Sequence, residues 1–415
     1  MKKITITAVG GLTVVALALT GCSGSSGSGG AGSSGRGPIT YVQGKDNSSI
    51  VPTLINNWND KHPNEKVTLK EQSDNADQQH DDLVQHFQAK STDYDVVTTD
   101  VIWTAEFAAK GWLTPFEGDL QLDTSKLLPA TVKTATYQGK LYAGPYVSDG
   151  GILFYRKDLL STPPTTWDEL MGDCKAAQAA GIKCYAGQFK QYEGLTVNVA
   201  ESINSAGAEI VKSDGKTPGL DDPKALTGLK QLVDGFKSGN IPQENLTFQE
   251  EGGRQAFEAG QYLFMRNWPY VYNLAKTDST STVKDTVGMA PLVTNSSLGG
   301  HNLAISQYSK NKATAIDFIK YMESEEVQKE VVLKASLSPV VESLYDDPQL
   351  VQAAPYLPVL KQSILKATPR PVTPFYPAVT QAIQENSFQA LSGTVTLDQA
   401  LKNIQAAITA ATSGH

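Results

Sequence analysis

Apolar positions recur along the chain in two alternating rhythms. Between residues 38 and 147 the run ITYVQG is short and β-rich. It is followed by SSIVPTLINNWNDKHP, in which Ile50, Leu54 and Trp58 recur at helical spacing, with Ser48 or Ser49 placed to cap the helix and His62-Pro63 to stop it. KVTLKEQ alternates like a strand, DQQHDDLVQHFQAK is helical, YDVVTT is a compact buried strand, and TAEFAAKGW is a helix ended by Gly111. Strand, helix, strand, helix, strand predicts a parallel sheet with crossover helices.

A second stretch repeats the style. GGILFYRKDLL predicts a strand, and PPTTWDELMGDCKAAQAAGI a helix starting after Thr166, with Asp168 and Glu169 in its first turn. KCYAGQF is a strand; EGLTVNVAESINSAGA and DPKALTGLKQLVDGFKSGNI are helices. A helix, the strand QYLFMR and another helix after Pro269 come next, then the strands VGMAPL and HNLAIS. NKATAIDFIKYMESEEVQKEVVLKA reads as one long helix, and the chain beyond Leu357 as helical and interrupted by proline. There is no internal repeat. At 415 residues the chain is long enough for two domains.

The N-terminus changes the picture from a cytosolic to an exported protein. Lys2 and Lys3 precede an apolar run, the layout of a secretory signal over residues 1–21. The run is shorter than the ~20 residues a membrane span needs. Leu19-Thr20-Gly21-Cys22 resembles the bacterial lipobox, which implies that Cys22 is lipidated and becomes the first mature residue. Residues 22–37, almost entirely Ser and Gly after the cysteine, are expected to be a flexible tether. The formal net charge of −8 becomes more acidic once Lys2 and Lys3 are removed, which argues against nucleic acid or an anionic membrane face as partner. Besides Cys22, the chain has Cys174 and Cys184, and export into an oxidising setting predicts that these two form a disulfide.

Candidate chemistry gathers where strands end, as ligands do in open α/β sheets. Asp100 follows YDVVTT, Ser148 and Asp149 follow AGPYV, and Asn267 and Trp268 follow QYLFMR. The nonapeptide FMRNWPYVY (264–272) holds one of only five tryptophans. Its aromatics are either core or a flat platform. A pyranose has apolar C–H faces that suit an indole or phenol ring, and a rim of hydroxyls that suits carboxylates and guanidinium groups. Pro269 would fix the turn that presents Trp268 and Tyr270, whereas Phe264 and Tyr272 read as core. The alternative for Asp100 is a helix cap, which it can be at the same time, and for Arg370 a bridge to a carboxylate on a lobe surface. No nucleophile elbow or phosphate loop is present, and His62, His80, His86, His301 and His415 lack metal spacing.

Four segments carry a resemblance: YDVVTTDVIWTAEFAAKGWLTPF, GPYVSDGGILFYRKDLLSTPPTTWDEL, FEAGQYLFMRNWPYVY and GGHNLAIS, with TPRPVTPFYP near the end. In order and spacing they resemble extracellular solute-binding proteins of the maltose/trehalose-binding family, which deliver sugars to ABC importers. The resemblance covers residues 38–412. It implies an α/β, two-lobed periplasmic-binding-protein fold (class II), each lobe a sheet flanked by helices. The hinge is crossed near residues 145–149 and 292–300 and again after Ser338. The N-lobe is then 38–147 with 298–341, and the C-lobe 148–297 with 342–415.

Carried over residue by residue, the resemblance gives Asp100 and Asp149 to sugar hydroxyls, Trp268 and Tyr270 to the aromatic platform, and Arg370 to a fork onto adjacent hydroxyls. Glu250 takes a further hydroxyl, with Glu251 as its rival. Gly300 offers backbone to the sugar, and His301 stands where related binders carry an aromatic residue. Asp46, Asn47, Asp74 and Gln79 are weaker candidates on N-lobe loops. The ligand implied is a di- or oligosaccharide, an α-glucoside such as trehalose, maltose or a maltooligosaccharide. The partners are the permease subunits of an ABC importer with its cytoplasmic ATPase. A monomer is expected, attached to the membrane only by lipid, with no catalytic residue, cofactor or metal. A cell-surface glycoside hydrolase is the alternative, since paired carboxylates beside a tryptophan also suit glycoside cleavage.

Overall fold

The computed structural model describes residues 35–413. The expected signal, Cys22 and the tether as far as residue 34 lie outside the described residues. Residues 35–37, expected to end the tether, are seated on the body. Arg36 pairs with Glu65 at 3.0 Å and with Asp317 at 2.6 Å, and the Gly37 amide donates to Thr314.

Two sheets organise the chain. The first runs in the order Val67–Glu71, Ile39–Gln43, Val96–Asp100, His301–Ile305, Ala143–Val147. Its first three strands are parallel, as the alternating pattern predicts. The sheet as a whole is mixed, because His301–Ile305 runs antiparallel to both of its neighbours. The reason is topological. The chain comes back from the second sheet, so it enters beside the point where Val96–Asp100 leaves, and His301 lies opposite Asp100. The second sheet has the order Val287–Pro291, Ile152–Arg156, Tyr262–Asn267, Lys183–Ala186, with only the last pair parallel.

Apolar side chains are sorted by strand alternation onto the two faces of each sheet. Tyr41 joins a core with Leu54, Trp58 and Phe318, while its neighbour Val42 faces the opposite cluster of Phe87, Trp103 and Phe107. In the second sheet Leu153 packs with Leu170 and Val199, and Phe154 with Val287 and Leu360. Each such side chain, fully buried, contributes about 1.5–3 kcal/mol, so the alternation also locks the register.

Helix ends follow local chemistry. Thr166 accepts from the Glu169 amide and starts Trp167–Ala180, and Gly181 closes it at φ 70°. That helix is tied to the next strand by the Cys174–Cys184 disulfide, with a Cα separation of 5.1 Å. Two expectations need correction. The helix Val51–Lys61 is not capped by Ser48 or Ser49; Asp46, five residues upstream, accepts from the Val51 amide at 2.8 Å. The long helix expected over 311–335 breaks into Lys312–Met322 and Glu325–Ala335, because Ser324 turns extended and caps the second by accepting from Val327. Among the described residues no helix is long and apolar enough to cross a membrane.

Three segments cross side by side between the sheets. Asp149 and Gly299 exchange backbone hydrogen bonds of 3.2 and 2.8 Å, and the Ser148 amide donates to the Ser338 carbonyl at 3.1 Å. Gly300 sits at φ 110°, and a Cβ there would come within 2.1 Å of the Val147 carbonyl oxygen. Only glycine permits this crossing. Beside it, Ser297–Leu298 pairs in parallel with Thr368–Pro369, which delivers Arg370 to the cleft.

Candidate ligand-binding site

A cavity of about 480 Å³ lies between the two sheets. From the first come Asp100 and His301, at adjoining strand ends, with the loop residues Asp46, Asn47, Asp74 and Gln79. Asp149 and Gly300 enter from the crossing segments. Glu250, Glu251, Trp268, Tyr270 and Arg370 line the opposite side. Residues spread over more than three hundred positions are thus brought to one cavity.

The aromatic stretch owes its placement to the start of the helix Glu250–Glu258. The strand Tyr262–Asn267 delivers it, and the Asn267 side chain donates to the Glu250 carbonyl at 3.1 Å while accepting from the Trp268 amide at 2.8 Å. The Glu250 carboxylate accepts from Tyr192 at 2.8 Å, and the Trp268 side chain works against the upward push of burial on its carboxyl. Glu251 accepts from the Tyr270 hydroxyl at 2.7 Å on one oxygen and from Arg254 on the other. Glu251 therefore holds one ring of the platform, and the Glu250 carbonyl, through Asn267, the backbone that carries the other. Trp268 and Tyr270 are half-buried; Phe264, expected in the core, is fully buried.

Arg370 is 3 % exposed, and its terminal nitrogens are both engaged by protein. One donates to Asp100 at 2.7 Å, the other to Glu193 at 2.6 Å. The guanidinium is thus engaged by carboxylates from opposite sides of the cleft rather than by a carboxylate on a lobe surface. Its Nε has no hydrogen-bond partner among the described residues. Burial alone would lower the guanidinium pKa, but Asp100, Tyr376 and Glu193 raise it further, so it stays charged. Asp100 lines the cavity and also accepts from the Ile102 amide at 3.3 Å before the helix Thr104–Ala109.

Other candidates are already tied locally. Asp46 holds Ser48 and Val51, the Gln79 amide donates to the Ser73 carbonyl at 2.8 Å, and Asp74 is exposed. Asp149 accepts from Ser338 at 2.7 Å. Burial pushes its carboxyl upward, Ser338 and His301 oppose that, and Asp100 adds to it. Burial likewise raises Glu250, against the hydrogen bond from Tyr192, and Glu193, against the attraction of Arg370. A cavity with flat rings on one wall and desolvated carboxylates around it suits a neutral polyol with apolar faces.

The sequence profile of the bacterial extracellular solute-binding proteins matches residues 42–329. The chain belongs to that family. A probable ABC transporter-binding protein from Deinococcus radiodurans is 32% identical over 351 residues, covering 77% of this chain and 80% of that protein. Among solved structures, maltose-bound MalE3 of T. maritima superposes with a TM-score of 0.85 at 33% identity, covering 89% of this chain and 98% of that one. The GacH receptor of Streptomyces glaucescens, solved unliganded and with acarbose, gives 0.81 at 25% identity, with 92% and 99% coverage. This solute-binding protein therefore has the two-lobed fold of the substrate-binding components of sugar ABC importers, a fold and family of transport proteins rather than enzymes.

Sequence reasoning missed several residues that shape this binding protein's cleft. Glu193 opens the helix Glu193–Ser205 and holds Arg370, Tyr376 and Thr380. Glu201, two turns on, holds Arg266. The signal was available: these are the only charges in a helix otherwise of small, apolar and uncharged residues, and a buried carboxylate demands a partner. Asp77 lies in the first turn of the helix Ala76–Gln88. It accepts from the Gln384 side chain and the Glu193 amide, and burial raises its carboxyl.

Proposed function

We propose that this protein captures an α-glucoside, such as trehalose, maltose or a maltooligosaccharide, between its lobes and presents it to the membrane subunits of an ABC importer. The observation that carries the reading is the convergence of Trp268 and Tyr270 with Asp100, Asp149 and Glu250 on one cavity of about 480 Å³. The rings take the apolar face of a glucosyl unit and the acids its hydroxyls. Hydrogen bonds to charged groups are worth roughly 1.5–3 kcal/mol each, so a sugar lacking one hydroxyl is rejected. The maltose and acarbose complexes of the similar proteins support the same class of ligand. Closure brings the two lobes together on the ligand, and affinity then includes the bias between open and closed states.

In this proposal Cys22 carries the lipid anchor, and the monomer works outside the cytoplasmic membrane or in a periplasm, with a permease and its cytoplasmic ATPase as partners. A thermal-shift screen of mono-, di- and trisaccharides, followed by calorimetry, tests the ligand class. A saturable response to α-linked glucosides is expected, without hydrolysis products. No response to any glucoside, or release of glucose, rejects the reading.

A further inference from the structure

Arg266 is among the largest fully buried side chains, with 1 % exposure, and it lies behind the platform rather than in it. It sits two residues before Trp268. Its guanidinium carbon stands 3.9 Å from the centroid of the Trp268 ring. The charge is satisfied from the far side: Glu201 accepts from Nε at 3.0 Å and from Nη2 at 2.6 Å, and Gln188 accepts from Nη1 at 3.3 Å. The same Glu201 oxygen accepts from the Ser297 amide at 3.0 Å, in the short strand that pairs with Thr368–Pro369 just before Arg370.

The indole is therefore held in three ways. A guanidinium covers one face. Gly299 abuts the six-membered ring, where a Cβ would stand 3.0 Å from Cη2 and Cζ3. The Trp268 amide donates to the Asn267 side chain at 2.8 Å, which is itself bonded to the Glu250 carbonyl. A buried ion pair is a poor device for stability, because apolar residues of similar volume serve as well or better. Here it does something an apolar pair does not: it puts a cation against the ring quadrupole at a fixed place. We infer that Arg266, anchored by Glu201, is a positioning residue for Trp268: it presets the indole so that the opposite face meets a ligand without further ordering. This rests on the carbohydrate reading of the cleft. A ring ordered before binding spares the ordering cost that a free aromatic side chain incurs on association.

The test uses the full chain with ¹⁵N-labelled tryptophan, the Trp268 indole signal being assigned by its loss in Trp268→Phe. Arg266→Met with Glu201→Met removes both buried charges and leaves neither orphaned; Arg266→Lys keeps a cation without the fork. In the unliganded wild type a single sharp Trp268 indole signal is expected. It should broaden or split in the double variant and recover in part in Arg266→Lys. Maltose affinity by calorimetry should fall about tenfold in the double variant and less in the lysine variant. An unchanged indole signal in a folded double variant overturns the proposal, as does an Arg266→Lys signal identical to wild type should the double variant not fold. The indole readout needs no ligand. If the wild type binds no glucoside, the carbohydrate reading falls while the spectrum still decides what Arg266 does.

Discussion

Arg370 and Asp100, separated by 270 positions in the chain, meet across the cleft at 2.7 Å. Asp100 ends a strand of the first sheet, while Arg370 is also bound to Glu193, which starts a helix packed with the second. Asp77 reaches over the same seam to the Glu193 amide and Gln384. The guanidinium thus ties the two sides of the cleft together at the edge of the cavity.

Removing that tie should cost affinity mainly through closure. Arg370→Ala leaves Glu193 buried, and Asp100 partly buried, without their cation, and breaking a buried pair costs about 3–5 kcal/mol. A loss of affinity of more than a hundredfold for the preferred glucoside is expected. Arg370→Lys should recover only part of it, since an ammonium cannot span both carboxylates as the fork does. Small-angle scattering of the sugar-saturated alanine variant should show a larger radius of gyration than saturated wild type. Unchanged affinity and radius would remove the tie from the account.

Trp268→Ala addresses the platform itself. The lost ring face and its contact area amount to roughly 2–3 kcal/mol, on the order of a hundredfold in Kd. Trp268→Phe should lose less, because it keeps a flat face. Calorimetry on both variants decides. Equal affinities for wild type and alanine would return Trp268 to the core reading.

The cleft acids should make the unliganded protein more stable in mild acid. Burial raises the carboxyls of Asp149, Glu193 and Glu250 above their unfolded values. The native state then binds more protons than the unfolded state over the window between those values. Their contribution is fully present below the ordinary carboxylate range and is lost as pH rises through the raised values. Asp149→Asn, which keeps an acceptor for Ser338, should show a higher Tm than wild type at pH 7.5, a gap that closes toward pH 4, and weakened sugar binding. A Tm gap independent of pH contradicts this.

Much of the fold was legible because it rests on local patterns. The strand Val96–Asp100 and the helix capped by Thr166 needed only apolar spacing and a capping hydroxyl. The break at Ser324 was hidden inside an apolar rhythm that continues on both sides of it, and the antiparallel entry of His301 depends on where the chain returns from. Trp268 and Asp100 could be singled out by residue type and position at strand ends. What Arg370 and Glu251 hold could not, because an ion pair 270 residues apart in sequence or a phenol–carboxylate contact leaves no periodic trace.

Glu323 offers a measurement away from the cleft. It follows the helix Lys312–Met322, is 8 % exposed, and its Oε1 has no hydrogen-bond partner. That oxygen lies against the Gly144 backbone, where a Cβ would approach it to 2.4 Å, so glycine is required there to admit the carboxyl. Burial pushes the carboxyl well above the usual range, with no neighbouring charge contributing. A raised carboxyl makes the fold more stable when protonated, so wild-type stability should fall as pH rises through the raised value. Glu323→Gln cannot ionise and should remove that part of the slope, gaining on the order of 2 kcal/mol at pH 8 and almost nothing at pH 4. Sugar affinity should not change, since Glu323 does not line the cavity between the lobes. Urea unfolding of both proteins at pH 4 and 8 reads the difference directly, and parallel pH profiles would show that the buried carboxyl finds compensation on folding.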